Sequence, residues 1–183
     1  MQGSGNDLRT LFRKMYFFFL PSSGMRSRYL ANHKALFHHL GSQVFWQPRN
    51  FPSDPELISI GNNVCLASGV TFVNHDVVSQ MLNRAKKTDV NLKPFEGCIK
   101  IGDNVMIGSN TMILPNVKIG SNVVIGAGSI VTKNLPDNGV YGGAPARKIG
   151  TIEKLLEKRI VYSQTPQKTI EELWNNFEKL EDK

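Results

Sequence analysis

Residues 101–131 read IGDNVMIGSNTMILPNVKIGSNVVIGAGSIV, and this stretch decides the fold. An aliphatic residue occupies every sixth position without a slip, at Ile101, Ile107, Ile113, Ile119, Ile125 and Val131. The same frame extends back to Phe95, and a second block in its own frame has Ile60, Leu66 and Phe72. A period of six matches neither the 3.6-residue period of a helix nor the two-residue period of a strand. It therefore indicates an internal structural repeat.

The fourth and fifth positions of the ten six-residue repeats are also biased. The fourth position is Asn in six repeats and Gly in two, and both residues tolerate the positive φ of a tight corner. The fifth position is mostly small or aliphatic. Each repeat therefore predicts a short strand that ends in a corner, with inward-facing first and fifth residues. Stacked coils of such strands form a solenoid, in which each coil buries its aliphatic residues on the next.

The repeat stops at His75 and Asp76 and resumes at Phe95, and residues 77–94 between them are polar and basic. A solenoid accommodates such an insertion as an external loop, and loops often carry function. His75 occupies the position that is usually Asn or Gly, and Asp76 occupies one that is elsewhere small or apolar. Such departures mark candidate functional residues. The structural alternative is a histidine that merely tolerates a positive-φ corner.

Four segments carry a family resemblance: IGNNVCLASGVTF at 60–72, NHD at 74–76, IGDNVMIGSN at 101–110 and VIGAGSIVTKNLPDNGVYGGAPAR at 124–147. Together they resemble the maltose, galactoside and xenobiotic O-acetyltransferase branch of the hexapeptide-repeat acyltransferases, over about half of the chain. The resemblance implies a mainly β fold, a left-handed parallel β-helix in which three hexads make one triangular coil. It also implies acetyl-CoA as co-substrate and a homotrimer with active sites between subunits.

Within this resemblance, His75 matches the histidine that acts as general base. Acyl transfer from a thioester to a hydroxyl needs a base, and an imidazole with an unperturbed pKa of about 6.5 suits that role near neutral pH. Asp76 is a candidate to orient His75. The backbone N–H of Ser109 matches the family's donor to the developing oxyanion. This chemistry requires no metal ion and no covalent acyl-enzyme.

The resemblance also assigns candidate residues for coenzyme A, namely Ser109, Ala127, Thr132, Lys133 and Arg147. The last two are cations that suit phosphate groups, with a solvated surface charge as their alternative. The family often has a second basic residue three positions after the Arg147 match, where this chain has Gly150. Lys148 is the candidate replacement.

Candidate contacts with a sugar-like acceptor are Asn74, Trp46 and Arg84. An aromatic ring is a reasonable platform for a sugar. Trp46 has an alternative role, because it lies just ahead of the first clear repeat and could close the open end of the solenoid core.

Apolar spacing at both ends of the chain is helical. The predicted organisation is an N-terminal helical segment at 1–43, a β-helix acyltransferase domain at 44–150 with loop 77–94, and a C-terminal helical extension at 151–183. The apolar residues 15–20 are too few to span a bilayer. A helix packed on the body is the prediction for them, with contact to a membrane surface as the alternative.

Composition narrows the function classes. The chain has 22 Lys+Arg against 15 Asp+Glu, for a formal charge of +7, and the first 50 residues carry most of the excess. A basic N-terminal region favours binding of an anionic partner. No basic run with interleaved aromatic residues occurs, however, so nucleic-acid binding is not predicted. Two cysteines without CxxC spacing argue against a disulfide framework and favour the cytoplasm. A zinc carbonic anhydrase is excluded, because only one histidine lies in the repeats.

The predicted function is that of an acetyl-CoA-dependent O-acetyltransferase acting on a hydroxyl of a sugar or polysaccharide precursor. Two alternatives remain open. One is an N-acetyltransferase of an amino sugar or small xenobiotic. The other is a non-catalytic hexapeptide-repeat scaffold, against which stand His75, the loop and the Lys133–Arg147 pair.

Overall fold

A computed structural model describes residues 8–181, in which the repeats form three sheets of short strands. Sheet A contains β1 (His39–Leu40), β3 (Ile58–Ile60), β6 (Ile99–Ile101) and β9 (Val117–Ile119). Sheet B contains β2 (Val44–Trp46), β4 (Val64–Leu66), β7 (Val105–Ile107), β10 (Val123–Ile125), β12 (Gly139–Gly142) and β13 (Arg147–Gly150). Sheet C contains β5 (Thr71–Phe72), β8 (Met112–Ile113) and β11 (Ile130–Val131).

The chain visits the sheets in turn, so each strand pairs in parallel with the equivalent strand of the next coil. The register places Ile60 beside Ile101, and Leu66 beside Ile107, so like residues stack on like. The exception is β13, which pairs antiparallel with β12. The predicted stacking of short parallel strands is therefore confirmed, beside helices at both ends of the chain.

The core consists of the residues that the repeat predicts to face inward. From Ile101 to Val131 every first-position side chain is at most 2% exposed, and the fifth-position residues of the same hexads are also buried. One inward prediction is wrong, because Phe95 is 51% exposed. Residues 94–97 close the loop instead of running as a strand, since Gly97 N donates to Asn74 O at 2.7 Å. The buried pattern resumes at Ile99.

Seven of the eight predicted Asn or Gly corners adopt the predicted conformation, and Asn134 is the exception, because it is not among the positive-φ residues of the described chain. Asn or Gly in the fourth position has positive φ at Asn63, Gly69, Asn104, Asn110, Asn116, Asn122 and Gly128. The amides also form a ladder, in which Asn63 Nδ2 donates to Asn104 Oδ1 at 2.9 Å and Asn104 Nδ2 donates to Asn122 Oδ1 at 3.0 Å. His75 is not among the positive-φ residues of the described chain. Tolerance of such a corner therefore does not explain His75.

Two helices precede the repeats, α1 (Leu8–Phe19) and α2 (Ser23–Asn32), followed by a 3₁₀ turn at Lys34–Leu36. The Ser22 hydroxyl caps α2 by accepting from Met25 N at 3.2 Å. Phe17 of α1 is fully buried and packs edge-on against Trp46 and Phe51. This packing agrees with the predicted helix on the body. Within residues 8–181, no helix has both the length and the apolar character that crossing a membrane requires.

The external loop contains α3 (Val78–Arg84). The Asn83 side chain closes the loop on itself, because its Oδ1 accepts from Leu92 N at 3.0 Å and its Nδ2 donates to Leu92 O at 2.9 Å. A first compact unit ends at Ile152 and a second begins at Glu153.

The C-terminal segment forms α4 (Ile152–Gln164) and α5 (Ile170–Glu181), and the break between them contains Pro166 as expected from the sequence. A capping box starts α5, since Thr169 Oγ1 accepts from Glu172 N at 3.2 Å and Glu172 Oε2 accepts from Thr169 N at 2.8 Å.

Candidate active site

His75 lies at the base of the loop, three residues after β5, and pairs with an aspartate from an earlier segment of the chain. Its Nδ1 is 2.7 Å from Oδ2 of Asp54, which immediately precedes a 3₁₀ turn at Pro55–Leu57. The His75 side chain is 44% exposed and the Asp54 side chain 17%. The pair is therefore open to solvent on the histidine side and shielded on the carboxylate side.

This contact selects one form of the imidazole. A carboxylate accepts the proton of Nδ1–H, so the neutral ring carries its lone pair on Nε2. The Nε2 atom is then the ring nitrogen that is able to accept a proton. The Asp54–His75 pair thus has the arrangement of a general base held by an orienting carboxylate.

Asp54 was missed by the sequence analysis, because it lies between the helical segment and the first repeat and has no place in the hexad frame. One signal was available. Asp54 and Glu56 are the only acidic residues between positions 8 and 75. A carboxylate in an otherwise basic and apolar stretch merits attention as a candidate partner for a histidine.

Asp76, the expected partner of His75, has a different contact. Its Oδ1 accepts from Val78 N at 3.1 Å, at the start of α3, and its own N–H donates to Phe95 O at 3.2 Å. These bonds fix the two ends of the loop. The orienting position at His75 Nδ1 belongs to Asp54, which corrects the assignment made from adjacency in the sequence.

The three predicted acceptor contacts lie in different surroundings. Trp46 is fully buried, and its ring stacks on Phe72 at 5.8 Å between centroids. Its assignment as a sugar platform is therefore corrected, since the ring is part of the core. Asn74 is also buried, and its Nδ2 donates to Gly97 O at 3.0 Å across the base of the loop. Arg84 is exposed at the end of α3.

Ser109 and Ala127 occupy equivalent positions in successive coils, directly after Gly108 and Gly126. Gly128 N donates to Ser109 O at 2.8 Å, and a Cβ added at Gly108 would lie 2.4 Å from Ala127 N. Within the described chain, the backbone N–H groups of Ser109 and Ala127 have no acceptor. Two stacked turns thus offer free donors to the amides or oxyanion of a ligand.

The predicted phosphate partners are exposed near the last coil. Ala146 N donates to Ile130 O at 2.8 Å, which docks the turn before Arg147 on the strand that leads to Thr132 and Lys133. Arg147 donates through Nη1 to Ala146 O at 3.0 Å. The structure therefore brings this part of the predicted site to one end of sheet C.

A groove is lined by sequence neighbours of both members of the His75–Asp54 pair, although neither His75 nor Asp54 lines it. This aromatic groove has a volume of about 440 Å³ and is lined by Lys14, Phe18, Asn50, Phe51, Pro52, Ser53, Val70, Thr71 and Phe72. Ser53 directly precedes Asp54, and Phe72 lies three residues before His75. Its volume falls within the range of small-molecule sites, and its mixture of rings and hydrogen-bonding groups suits a sugar. Among the described residues, no cluster of three His, Cys, Asp or Glu side chains is arranged to hold a metal ion.

The model of the bacterial transferase hexapeptide family, with six repeats, matches residues 98–133. Residues 98–133 therefore carry hexapeptide repeats of this type. The matched residues contain the six strands from β6 to β11, two in each of the three sheets. They also include the free backbone N–H groups of Ser109 and Ala127.

Known proteins resemble longer parts of the chain. Protein CapG of Staphylococcus aureus is 50% identical over 111 residues, which are 58% of this chain and 62% of CapG. The galactoside O-acetyltransferase of Escherichia coli K12 is 42% identical over 114 residues, 62% of this chain and 54% of that enzyme. A solved galactoside acetyltransferase in complex with coenzyme A matches with a TM-score of 0.54 and 28% identity, over 80% of this chain and 82% of that one.

These similarities confirm the resemblance to the galactoside O-acetyltransferase branch. The chain spans between 53% and 62% of the length of the curated relatives it matches.

Proposed function

We propose that this hexapeptide-repeat protein is an acetyl-CoA-dependent O-acetyltransferase that acetylates a hydroxyl of a sugar or polysaccharide precursor. The observation that carries the proposal is the 2.7 Å contact between His75 Nδ1 and Asp54 Oδ2, in a chain whose coils also offer free backbone donors. The acetyltransferase relatives support it, since two of them are named for galactosides.

In the proposed reaction, His75 Nε2 removes the proton of the acceptor hydroxyl as its oxygen attacks the thioester carbonyl carbon. A C–O bond forms, and the carbonyl oxygen becomes an oxyanion. When the oxyanion collapses, the C–S bond breaks, and the imidazolium returns the proton to the departing thiolate of coenzyme A. Asp54 stabilises the transient positive charge on His75 and keeps the ring oriented.

The donor side of the reaction uses the groups near sheet C. The N–H of Ser109 is the proposed donor to the oxyanion, and the N–H of Ala127 is a proposed contact to the pantetheine arm. Lys133 and Arg147 are the proposed partners of the phosphates, with Thr132 beside them. Their exposure suits a long ligand that lies along the outside of the coils.

The proposal includes a left-handed winding and a homotrimer with active sites between subunits. The outward face of sheet B supports an interface, because the register aligns Phe45, Cys65, Met106 and Val124 in one apolar column. Phe45 and Met106 are each 42% exposed. A second copy of the chain would cover this column, whereas the equivalent column of sheet A is polar. The reduced Cys65 and Cys98 fit the cytoplasm.

Asp54→Asn is expected to lower kcat by about one to two powers of ten, the range for losing a partner that orients a histidine. The amide does not stabilise imidazolium as a carboxylate does, and it permits the wrong tautomer. Steady-state kinetics should show the loss in kcat, with the KM for acetyl-CoA unchanged. Glu56→Gln, two residues away, is the matched control. A full rate in Asp54→Asn together with a large loss in Asp76→Asn would contradict the pairing.

Lys133→Ala combined with Arg147→Ala is expected to raise the KM for acetyl-CoA by about tenfold to a hundredfold, because two charge-assisted contacts to phosphate are lost. The same variant should lose little affinity for acetyl-phosphopantetheine, which lacks the nucleotide phosphates. Lys100→Ala combined with Lys118→Ala removes two exposed cations from sheet A as a control. Equal KM values for the wild type and the Lys133/Arg147 variant would refute the assignment.

The reaction itself is tested by release of free thiol from acetyl-CoA in the presence of matched acceptors. Glucose and glucosamine differ at one position, a hydroxyl in the first and an amine in the second. We expect acceptor-dependent thiol release with hydroxyl sugars and an O-acetyl product by mass spectrometry. Acetylation confined to the amine would replace the proposal with an N-acetyltransferase. If no acceptor causes thiol release from acetyl-CoA, a non-catalytic scaffold would be favoured.

A further inference from the structure

A second groove adjoins the aromatic groove and has a different chemistry. This arginine groove is lined by the polar side chains of Arg26, Gln47, Arg49, Asn50 and Ser68, together with Phe18, Pro48, Gly69 and Val70. Its volume is about 500 Å³. Both grooves include Phe18, Asn50 and Val70 in their walls, so they are neighbouring parts of one surface.

Arg26 is a buried cation that has no counter-ion among residues 8–181. It is 4% exposed, and its Nη1 and Nη2 donate to Leu20 O at 2.7 Å and to Gln47 O at 3.0 Å. Its Nε has no acceptor within the described chain. Burial, followed by the charge of Arg49, lowers the pKa of Arg26. Burying a charge that only neutral groups contact is costly, so a group that supplies negative charge would stabilise it.

Arg49 adds a second positive charge to the same groove. Its side chain is exposed, and its Nη1 donates to Phe18 O at 3.4 Å. The carbonyls of Phe18 and Leu20 lie at the C-terminal end of α1, where the helix dipole supplies about half a negative charge. Two guanidinium groups exceed this partial charge, so the groove keeps a net positive charge.

No acidic side chain among the described residues lines either groove. The nearest acid in sequence, Asp54, is engaged with His75. Lys14, in the aromatic groove, adds to the positive field. An anion that enters from solution would therefore meet a paired-arginine site flanked by the neutral polar groups of Asn50 and Ser68, a combination that matches the oxygens of phosphate and carboxylate.

We propose that the arginine groove binds an oxyanion, the phosphate or carboxylate group of an acceptor that extends into the neighbouring aromatic groove. The acceptor class is thus an acidic or phosphorylated sugar. This inference rests on the proposed acetyltransferase function for its reaction, but the anion site itself can be tested without turnover.

The first test is a calorimetric titration of the wild-type protein with inorganic phosphate at low ionic strength. Arg49→Gln should weaken binding by about tenfold, since one charge-assisted contact is lost. Arg49 is the residue of choice, because its exposed side chain makes misfolding improbable, whereas Arg26 holds the end of α1. Arg28→Gln, exposed on α2, is the matched control and should bind phosphate as the wild type does.

The donor site is a second place where phosphate could bind, and the Lys133/Arg147 double variant distinguishes the two. Phosphate binding that survives in this variant and is lost in Arg49→Gln supports the arginine groove. Binding that is equal in the wild type and Arg49→Gln, or that is lost only in the Lys133/Arg147 variant, overturns the proposal. Neither outcome depends on acetyl transfer, so failure here is separate from failure of the proposed enzyme.

The source of the oxyanion is resolved with glucose 1-phosphate, glucuronate and neutral glucose as ligands. Tighter binding of glucose 1-phosphate than of glucose, sensitive to Arg49→Gln, identifies a phosphorylated acceptor. The same result with glucuronate identifies an acidic sugar. If neither anion binds more tightly than glucose, the inference is overturned.

Discussion

Replacement of His75 by alanine is expected to lower kcat for acetyl transfer by about 10²- to 10⁴-fold, the usual contribution of a positioned general base. The ring supplies the Nε2 atom that accepts the hydroxyl proton, and nothing else in the Asp54–His75 pair can replace it at neutral pH. Acetyl-CoA affinity should stay within a factor of two or so, because the proposed donor contacts lie on other residues. Turnover is measured by thiol release and affinity by calorimetry.

The control is His39→Ala, which removes another exposed histidine, from β1, without touching the proposed site. Because the replacement leaves the shielded Asp54 carboxylate without its partner, it should lower the free energy of unfolding by about 1–3 kcal/mol. An active His75→Ala variant would refute the assignment of the base. Loss of acetyl-CoA binding in the same variant would give His75 a role in binding the donor instead.

Trp46→Ala is expected to destabilise the protein by about 3–5 kcal/mol, the usual cost of removing a large aromatic side chain from a core. Trp46 is fully buried, and its ring contacts Phe17, Phe37 and Phe72, so the truncation leaves a cavity where the N-terminal helices meet the first coil. For a chain of this length, that loss lowers Tm by roughly 6–20 °C. Differential scanning calorimetry measures the shift.

The chain provides a matched control for this prediction, because its only other tryptophan, Trp174, is 60% exposed on α5. Trp174→Ala should leave Tm within about 2 °C. A stable Trp46→Ala variant with a raised KM for a sugar would reverse the correction and return Trp46 to the acceptor site.

The repeat architecture could be predicted from the sequence because it follows from local rules that recur six residues apart. Ile101, Ile107 and Ile113 each face inward for the same reason, and Asn104 and Asn110 each form a corner for the same reason. Because the same residue preference recurs in every repeat, it can be detected in a single sequence.

The partner of His75 could not be predicted in this way, because it depends on contacts between distant segments. Asp54 and His75 are 21 positions apart, and the aspartate lies outside the repeat frame. Adjacency in the sequence favours Asp76 as the residue that orients His75. In the structure, however, Asp76 Oδ1 accepts a hydrogen bond from Val78 N at the start of α3. The surroundings of Trp46 and Arg26 could not be predicted either, for the same reason. Packing between the N-terminal helices and the first coil buries both side chains and so decides what each can contact.

In the proposed function the N-terminal helices take part in selecting the acceptor, because their residues line both grooves. Phe18 and Lys14 of α1 form walls of the aromatic groove, and α2 contributes Arg26 to the arginine groove. The repeats would then supply the donor contacts and the base, while the preceding helices select the acceptor.

Use of acetyl-CoA by this protein is open to direct measurement by calorimetric titration of the purified chain. We expect one molecule to bind per subunit with a Kd in the micromolar range, weakened in the Lys133/Arg147 variant and unchanged in His75→Ala. Absence of binding at millimolar acetyl-CoA would contradict this expectation.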